Sequence, residues 1–238
     1  MLISHKYRCI FIHIQKTGGS TIESLLRSFD KHAVLKVPLN PIALLRCHLC
    51  RAGYEHARFG KQIWLKMAPV CKGKHLFARD IKTSINNRKI WETYFKFAFV
   101  RNPWDRLVSW YSMIRERGPK NAFWKYALEN SSDFESFVRN CNRTIYESPF
   151  EVKNFFFNQF DYISGDRNEV IVDYIGRFEN FTEDVQRIFR SISCPLPKPL
   201  PKINQSTHPN YRRYYTDETR KLVTERYYMD IGFFGYRF

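Results

Sequence analysis

The sequence predicts an α/β fold, an open and mostly parallel sheet flanked by helices, and three observations carry that prediction. Apolar runs rich in β-branched and aromatic residues at 7–14, 94–100 and 169–178 read as strands, and each is followed by residues of helical period. The first two runs enter their helices through short turn segments, one bearing two glycines and one opened by Asn102-Pro103. The composition supports a packed core: 238 residues, 44% hydrophobic and 17% aromatic, with only 10 Gly and 11 Pro. That excludes disordered and collagen-like chains, and six cysteines are too few for a disulfide-stapled scaffold. One domain spanning 1–238 is expected.

In chain order, residues 7–14 (YRCIFIHI) form the first strand, and the polar stretch 15–21 follows it directly. Ile22, Leu25, Leu26 and Phe29 then recur at i, i+3, i+4 and i+7, one face of an amphipathic helix. Residues 34–70, interrupted by Pro38 and Pro41, read as short helix and loop. The pattern predicts a helix over 78–94 and a strand buried on both faces at 94–100 (YFKFAFV). Asn102 then serves as N-cap and Pro103 as first helical residue, with Leu107, Trp110, Tyr111 and Ile114 as the apolar stripe that follows. Further helices are expected over 122–128 and 133–140, and a strand over 169–178. Val185, Ile188, Phe189 and Ile192 mark a helix whose start gathers Thr182, Glu183 and Asp184. Alternating prolines at 195–201 make an extended connector, and a helix over 216–230 precedes an aromatic tail.

The chemistry concentrates at the strand-to-helix turns. Gln15-Lys16-Thr17-Gly18-Gly19-Ser20-Thr21 lies where an open α/β sheet binds anions, at the carboxyl end of a strand and the start of a helix. Gly18 and Gly19 let the backbone approach a phosphate, Lys16 adds a point charge, and the Ser20 and Thr21 hydroxyls add donors. A nucleotide triphosphatase loop has its lysine after the second glycine, whereas Lys16 precedes both glycines. The loop thus suits a phosphate-bearing donor handled without a metal. Arg101, at the end of the second strand, has a guanidinium able to fork onto phosphate oxygens. Read alone, Ser109 falls opposite the apolar stripe of its helix and is expected to be solvated.

Both segments resemble the membrane-type carbohydrate sulfotransferases and their soluble bacterial relatives, the sulfotransferase family 2-like proteins. Phe11-Ile12-His13-Ile14 with 15–21 is similar to the 5′-phosphosulfate loop of that family. Phe97-Ala98-Phe99-Val100-Arg101-Asn102-Pro103-Trp104-Asp105-Arg106-Leu107-Val108-Ser109, about 85 residues later, is similar to its 3′-phosphate segment. The tail from Gly176-Arg177-Phe178-Glu179-Asn180 through Asn204 to the terminal Phe-Gly-Tyr-Arg-Phe is similar in pattern. The resemblance implies a P-loop-like α/β fold with 3′-phosphoadenosine 5′-phosphosulfate (PAPS) as sulfuryl donor. It assigns the 5′-phosphosulfate to Lys16, Thr17, Gly18, Gly19, Ser20 and Thr21, with Lys16 acting on the leaving oxygen. It assigns the 3′-phosphate to Arg101 and Ser109, and a donor-closing loop to Ser206 and Thr207.

Sulfuryl transfer to a hydroxyl needs a base near the acceptor oxygen. Residues 74–82 (KHLFARDIK) resemble the family segment in which a histidine precedes a helix, so His75 takes that role, and an imidazole that is neutral near pH 7 suits it. The family usually has a small polar residue where Phe77 stands. The same histidine enters a competing pattern, Cys47-x-x-Cys50 with Cys71-x-x-x-His75, whose spacings fit a Cys₃His zinc site. A metal there would sequester the base, and no metal is expected.

The 39 Lys and Arg against 23 Asp and Glu leave a formal charge of +16, a field that draws polyanions, whether nucleic acid, anionic lipid, a phosphorylated cofactor or an acidic polysaccharide; the acceptor the resemblance implies is a saccharide or glycoconjugate. The rivals are a nucleotide-dependent kinase, disfavoured by the lysine position, and a nucleic-acid binder. Residues 204–215 (NQSTHPNYRRYY) interleave arginine with aromatics in a way that can stack bases. Two separate phosphate motifs at strand-to-helix turns favour the enzyme, and no nucleic-acid partner is expected. No secretory or membrane-spanning segment is evident, so a cytoplasmic protein with reduced thiols is expected.

Overall fold

The computed structural model describes residues 1–34, 75–85, 87–120, 122–142, 157–197, 199–200 and 209–238. The described elements run β1 (Leu2–Ser4), β2 (Cys9–Ile12), α1 (Gly19–Phe29), α2 (Ala78–Ser84), α3 (Arg88–Thr93), β3 (Phe95–Val100), α4 (Pro103–Arg117), α5 (Ala122–Glu129), α6 (Phe134–Asn142), α7 (Gln159–Ile163), β4 (Tyr174–Arg177), α8 (Phe181–Ser191), α9 (Asp217–Arg226) and α10 (Tyr228–Phe234). They group into two compact units, Met1–Val100 with Asp161–Ile203, and Arg101–Phe160 with Asn204–Phe238.

The first unit is built on a four-stranded sheet in the order β1-β2-β3-β4. Strands β2, β3 and β4 are parallel, in the register Ile12↔Ala98 and Val100↔Arg177, so the mixed α/β reading holds. The sequence reading lacked β1, which pairs antiparallel to β2 through Leu2↔Phe11; three residues are too short to display a period. Residues at alternate positions of a strand share a face. Phe11, Phe97 and Phe99 accordingly pack with Ile22 and Leu26 of α1 and Ile188 of α8 in one buried cluster. The alternate residues Ile10, Ile12, Ala98 and Val100 are buried too, which explains the unbroken apolar runs.

Four boundaries differ from expectation. The strand expected over 7–14 is confined to Cys9–Ile12, since a turn leads into it and the loop begins right after it. The helix expected over 78–94 is two, because Asn87 caps α3 by accepting from Lys89 N (3.1 Å) and restarts the helix. The strand expected over 169–178 is confined to β4, since Phe178 already begins a 3-10 turn. The closing helix divides at Tyr227 into α9 and α10, with Thr216 and Thr219 forming a reciprocal capping box at the start of α9. The region 35–74 lies outside the described residues.

The second unit is helical. Asn102 caps α4 as expected, accepting from Trp104 N (3.0 Å) and Asp105 N (3.3 Å), with Pro103 in the first turn. Its Nδ2 donates to the Arg237 carbonyl (3.2 Å), so the tail is tied to the start of α4. Tyr111 of α4 meets Phe134 and Phe137 of α6 at ring separations of 5.4 Å. Across α6 and α9, Arg139 pairs with Glu218 at 2.9 Å.

Candidate functional site

In the first unit, β2 delivers the chain into the loop through His13, Ile14 and Gln15, all buried. Lys16 (φ 65°) and Gly18 (φ 84°) both adopt the left-handed region, on either side of a buried Thr17 whose hydroxyl donates to the Ile14 carbonyl at 2.9 Å. Alternating backbone hand of this kind turns successive N–H groups toward one point, an anion nest. A lysine held left-handed costs about 1–3 kcal/mol, a strain that functional loops retain. Gly18 is the N-cap of α1 and supplies no side-chain cap, and no acidic residue occupies the first turn, the positive end of the helix. Both glycines are required by space: a Cβ on Gly18 would lie 2.6 Å from the Phe181 ring, and one on Gly19 2.2 Å from the His13 ring.

Two histidines complete this part of the site. The His13 ring, buried, pairs through Nδ1 with Glu23 Oε1 at 2.6 Å and stacks on Phe11 at 5.4 Å. His75 sits edge-on to it at 4.4 Å, and its Nδ1 lies 2.8 Å from the His13 carbonyl. A carbonyl can only accept, so Nδ1 of His75 carries a proton; a neutral ring held in this way has its lone pair on Nε2, the tautomer a general base requires. Phe77 is buried, edge-on to Tyr162 at 4.9 Å with the Arg79 guanidinium 4.6 Å over its ring. It therefore fills core space at the N-cap of α2, which has no side-chain cap hydrogen bond.

In the second unit, Arg101 is buried and its Nε donates to Asp105 Oδ2 at 2.7 Å. Its backbone N–H donates to Gln159 Oε1 (2.8 Å) and its carbonyl accepts from Gln159 Nε2 (2.7 Å). Ser109 is 1% exposed, not solvated. Helix α4 is buried well beyond its apolar stripe, and Ser109 lies one turn after Asp105, on the same side of the helix. Asp105, Gln159, Glu23 and His13 were missed as site residues, since a lone polar residue in a polar pattern gives no signal. Only Glu23 had one: four residues after Gly19 and three before Leu26, it sits at the edge of the buried stripe.

Ser206 and Thr207 lie outside the described residues, as do Cys47, Cys50 and Cys71. Among the described residues no group of three His, Cys, Asp or Glu could hold a metal ion. The described part of the basic aromatic segment packs internally: Tyr214 meets Tyr111 and Phe134, and Tyr211 and Tyr215 meet Phe238. Cys9 and Cys194 are free and buried, and burial pushes the first thiol up to about 12 and the second up to about 11, so neither is a nucleophile near pH 7. No helix among the described residues is long and apolar enough to cross a membrane.

A turn with Lys16 and Gly18 both left-handed, opening a helix at the end of an interior parallel strand, is a candidate anion-binding site. The sequence profile of the sulfotransferase family matches residues 1–237, and the chain belongs to that family. It is 33% identical over 127 residues to an uncharacterized protein of Archaeoglobus fulgidus, a match covering 53% of this chain and 89% of that one.

Proposed function

We propose that this sulfotransferase moves the sulfuryl group from PAPS to a hydroxyl of a carbohydrate or glycoconjugate, with the whole of 1–238 serving that activity. The observation that carries the reading is the hydrogen bond from His75 Nδ1 to the His13 carbonyl, because it fixes a base-competent histidine to the root of the anion loop. A binding module needs the loop but not the base. In the proposed reaction His75 Nε2 takes the proton of the acceptor hydroxyl as its oxygen bonds to sulfur. The bond from sulfur to the bridging phosphate oxygen breaks, and Lys16 with the amides of 17–21 stabilises the charge left on that oxygen. Arg101 and Ser109 take the 3′-phosphate, an assignment supported by the family resemblance and by Asp105 holding the Arg101 fork.

The +16 charge supports an acidic acceptor. The internal packing of Tyr211, Tyr214 and Tyr215 speaks against base stacking as the purpose of that segment. Free Cys9 and Cys194 are compatible with a reducing compartment such as the cytoplasm. Calorimetry tests the donor: adenosine 3′,5′-bisphosphate should bind about ten- to a hundredfold tighter than AMP, the worth of a charged bidentate contact. Equal affinities would remove PAPS from the reading.

A further inference from the structure

The β3–β4 ladder closes at Val100 opposite Arg177, and Arg101 is the first residue beyond it. At that point the backbone N–H and C=O still need partners. Gln159 supplies both from one side chain, with Oε1 accepting from Arg101 N at 2.8 Å and Nε2 donating to Arg101 O at 2.7 Å. A primary amide can present either atom to either side. Asp230 settles the choice: its Oδ2 accepts from Gln159 Nε2 at 3.1 Å and from Gln159 N at 2.8 Å, while Oδ1 accepts from Phe160 N at 2.9 Å. Gln159 and Asp230 are both wholly buried. With Asp105 on Nε, Arg101 is thus held at three atoms, two in the main chain and one in the guanidinium.

We propose that Gln159, oriented by Asp230, is a positioning residue that preorganises Arg101 for the 3′-phosphate of the donor. This rests on the donor reading above. A long side chain immobilised on binding forfeits rotamer freedom, and holding its root in advance removes part of that loss. The expected signature lies in the 3′-phosphate alone: AMP lacks the group Arg101 serves, so its binding does not depend on where the guanidinium stands.

The test compares affinities for adenosine 3′,5′-bisphosphate and AMP by calorimetry in wild type, in Gln159→Met, which keeps volume and loses both hydrogen bonds, and in Gln159→Asn, which keeps a buried amide too short to span them. Wild type should prefer the bisphosphate, and both variants should lose about three- to tenfold of that preference with AMP affinity unchanged. A preference undiminished in the variants, even with a lowered melting temperature, overturns the clamp and leaves the donor reading standing. No preference in wild type overturns the donor reading and the clamp with it. Should neither variant fold, amide hydrogen exchange of the wild type decides: the Arg101 amide should be as protected as those of β3, and rapid exchange there overturns the proposal.

Discussion

Replacing Gly19 by alanine should damage stability and transfer together, by an amount the packing sets. The new Cβ would stand 2.2 Å from the His13 ring, and ordinary contact begins at 3.4 Å. The ring must therefore retreat by more than 1 Å, yet it is 3% exposed, stacked on Phe11 and bonded to Glu23 at 2.6 Å. Overpacking a tight core costs about 1–3 kcal/mol, and breaking a buried charge-assisted hydrogen bond about 1.5–3 kcal/mol. Their sum, about 2.5–6 kcal/mol, should lower the melting temperature of a 238-residue chain by about 5–12 °C, at about 2 °C per kcal/mol. Gly232→Ala in α10 is the control: among the described residues nothing beyond its own helix backbone and chain neighbours lies within 4 Å of its Cβ, so stability should hold or rise by up to about 1 kcal/mol. Thermal melts and a sulfuryl-transfer assay on both variants decide the matter. A Gly19→Ala protein melting within about 2 °C of wild type with undiminished transfer would refute the claim that His13 is locked against the loop.

Lys16→Ala should lower turnover by more than it weakens binding of adenosine 3′,5′-bisphosphate, because the lysine is proposed to act on charge that develops late; an affinity loss with turnover intact at saturation would make it a ground-state clamp. His75→Ala should keep nucleotide affinity and lose transfer by about 10²- to 10⁴-fold, and EDTA should change neither melting temperature nor activity of the wild type; shared destabilisation by chelation and by Cys47→Ser would favour zinc instead. Burial pushes the Asp230 carboxyl up to about 6, although Arg106 and the amides of Gln159 and Phe160 pull it back. An acid raised in the folded state stabilises it most below the unfolded value of 3.8 and loses that contribution as pH rises through 6. Relative to Asp230→Asn, wild type should therefore lose about 2 kcal/mol between pH 4 and 6, read from melting temperatures; a difference that widens with pH contradicts this.

The first-unit site was largely legible because its signals are local. Glycines next to a β-branched run, followed by a 3.6-residue period, announce strand, loop and helix without any tertiary knowledge, and β2, α1, β3 and the Asn102 cap stand where the pattern put them. The supporting shell was not legible. Gln159 meets Arg101 from 58 residues away, and Asp230 meets Gln159 from 71, and nothing in a polar residue's neighbours foretells a partner at such range. Ser109 shows the converse error, since a helix buried around much of its circumference makes the polar side of its stripe a poor guide to solvent.

The order of the strands bears on how incomplete forms of this chain behave. Among the described strands the sheet's edges are three-residue β1 and four-residue β4, while four-residue β2 and six-residue β3 lie inside. β3 reads FKFAFV, and β4, which covers its open side, arrives only at Tyr174, after the second unit's first segment has been traversed. A chain truncated between 101 and 173 lacks β4 and leaves an aromatic edge with unpaired main-chain groups, the template on which strands of other molecules add. Amino-terminal fragments should therefore collect in the insoluble fraction, and preparations should be judged by their freedom from proteolysis in that interval.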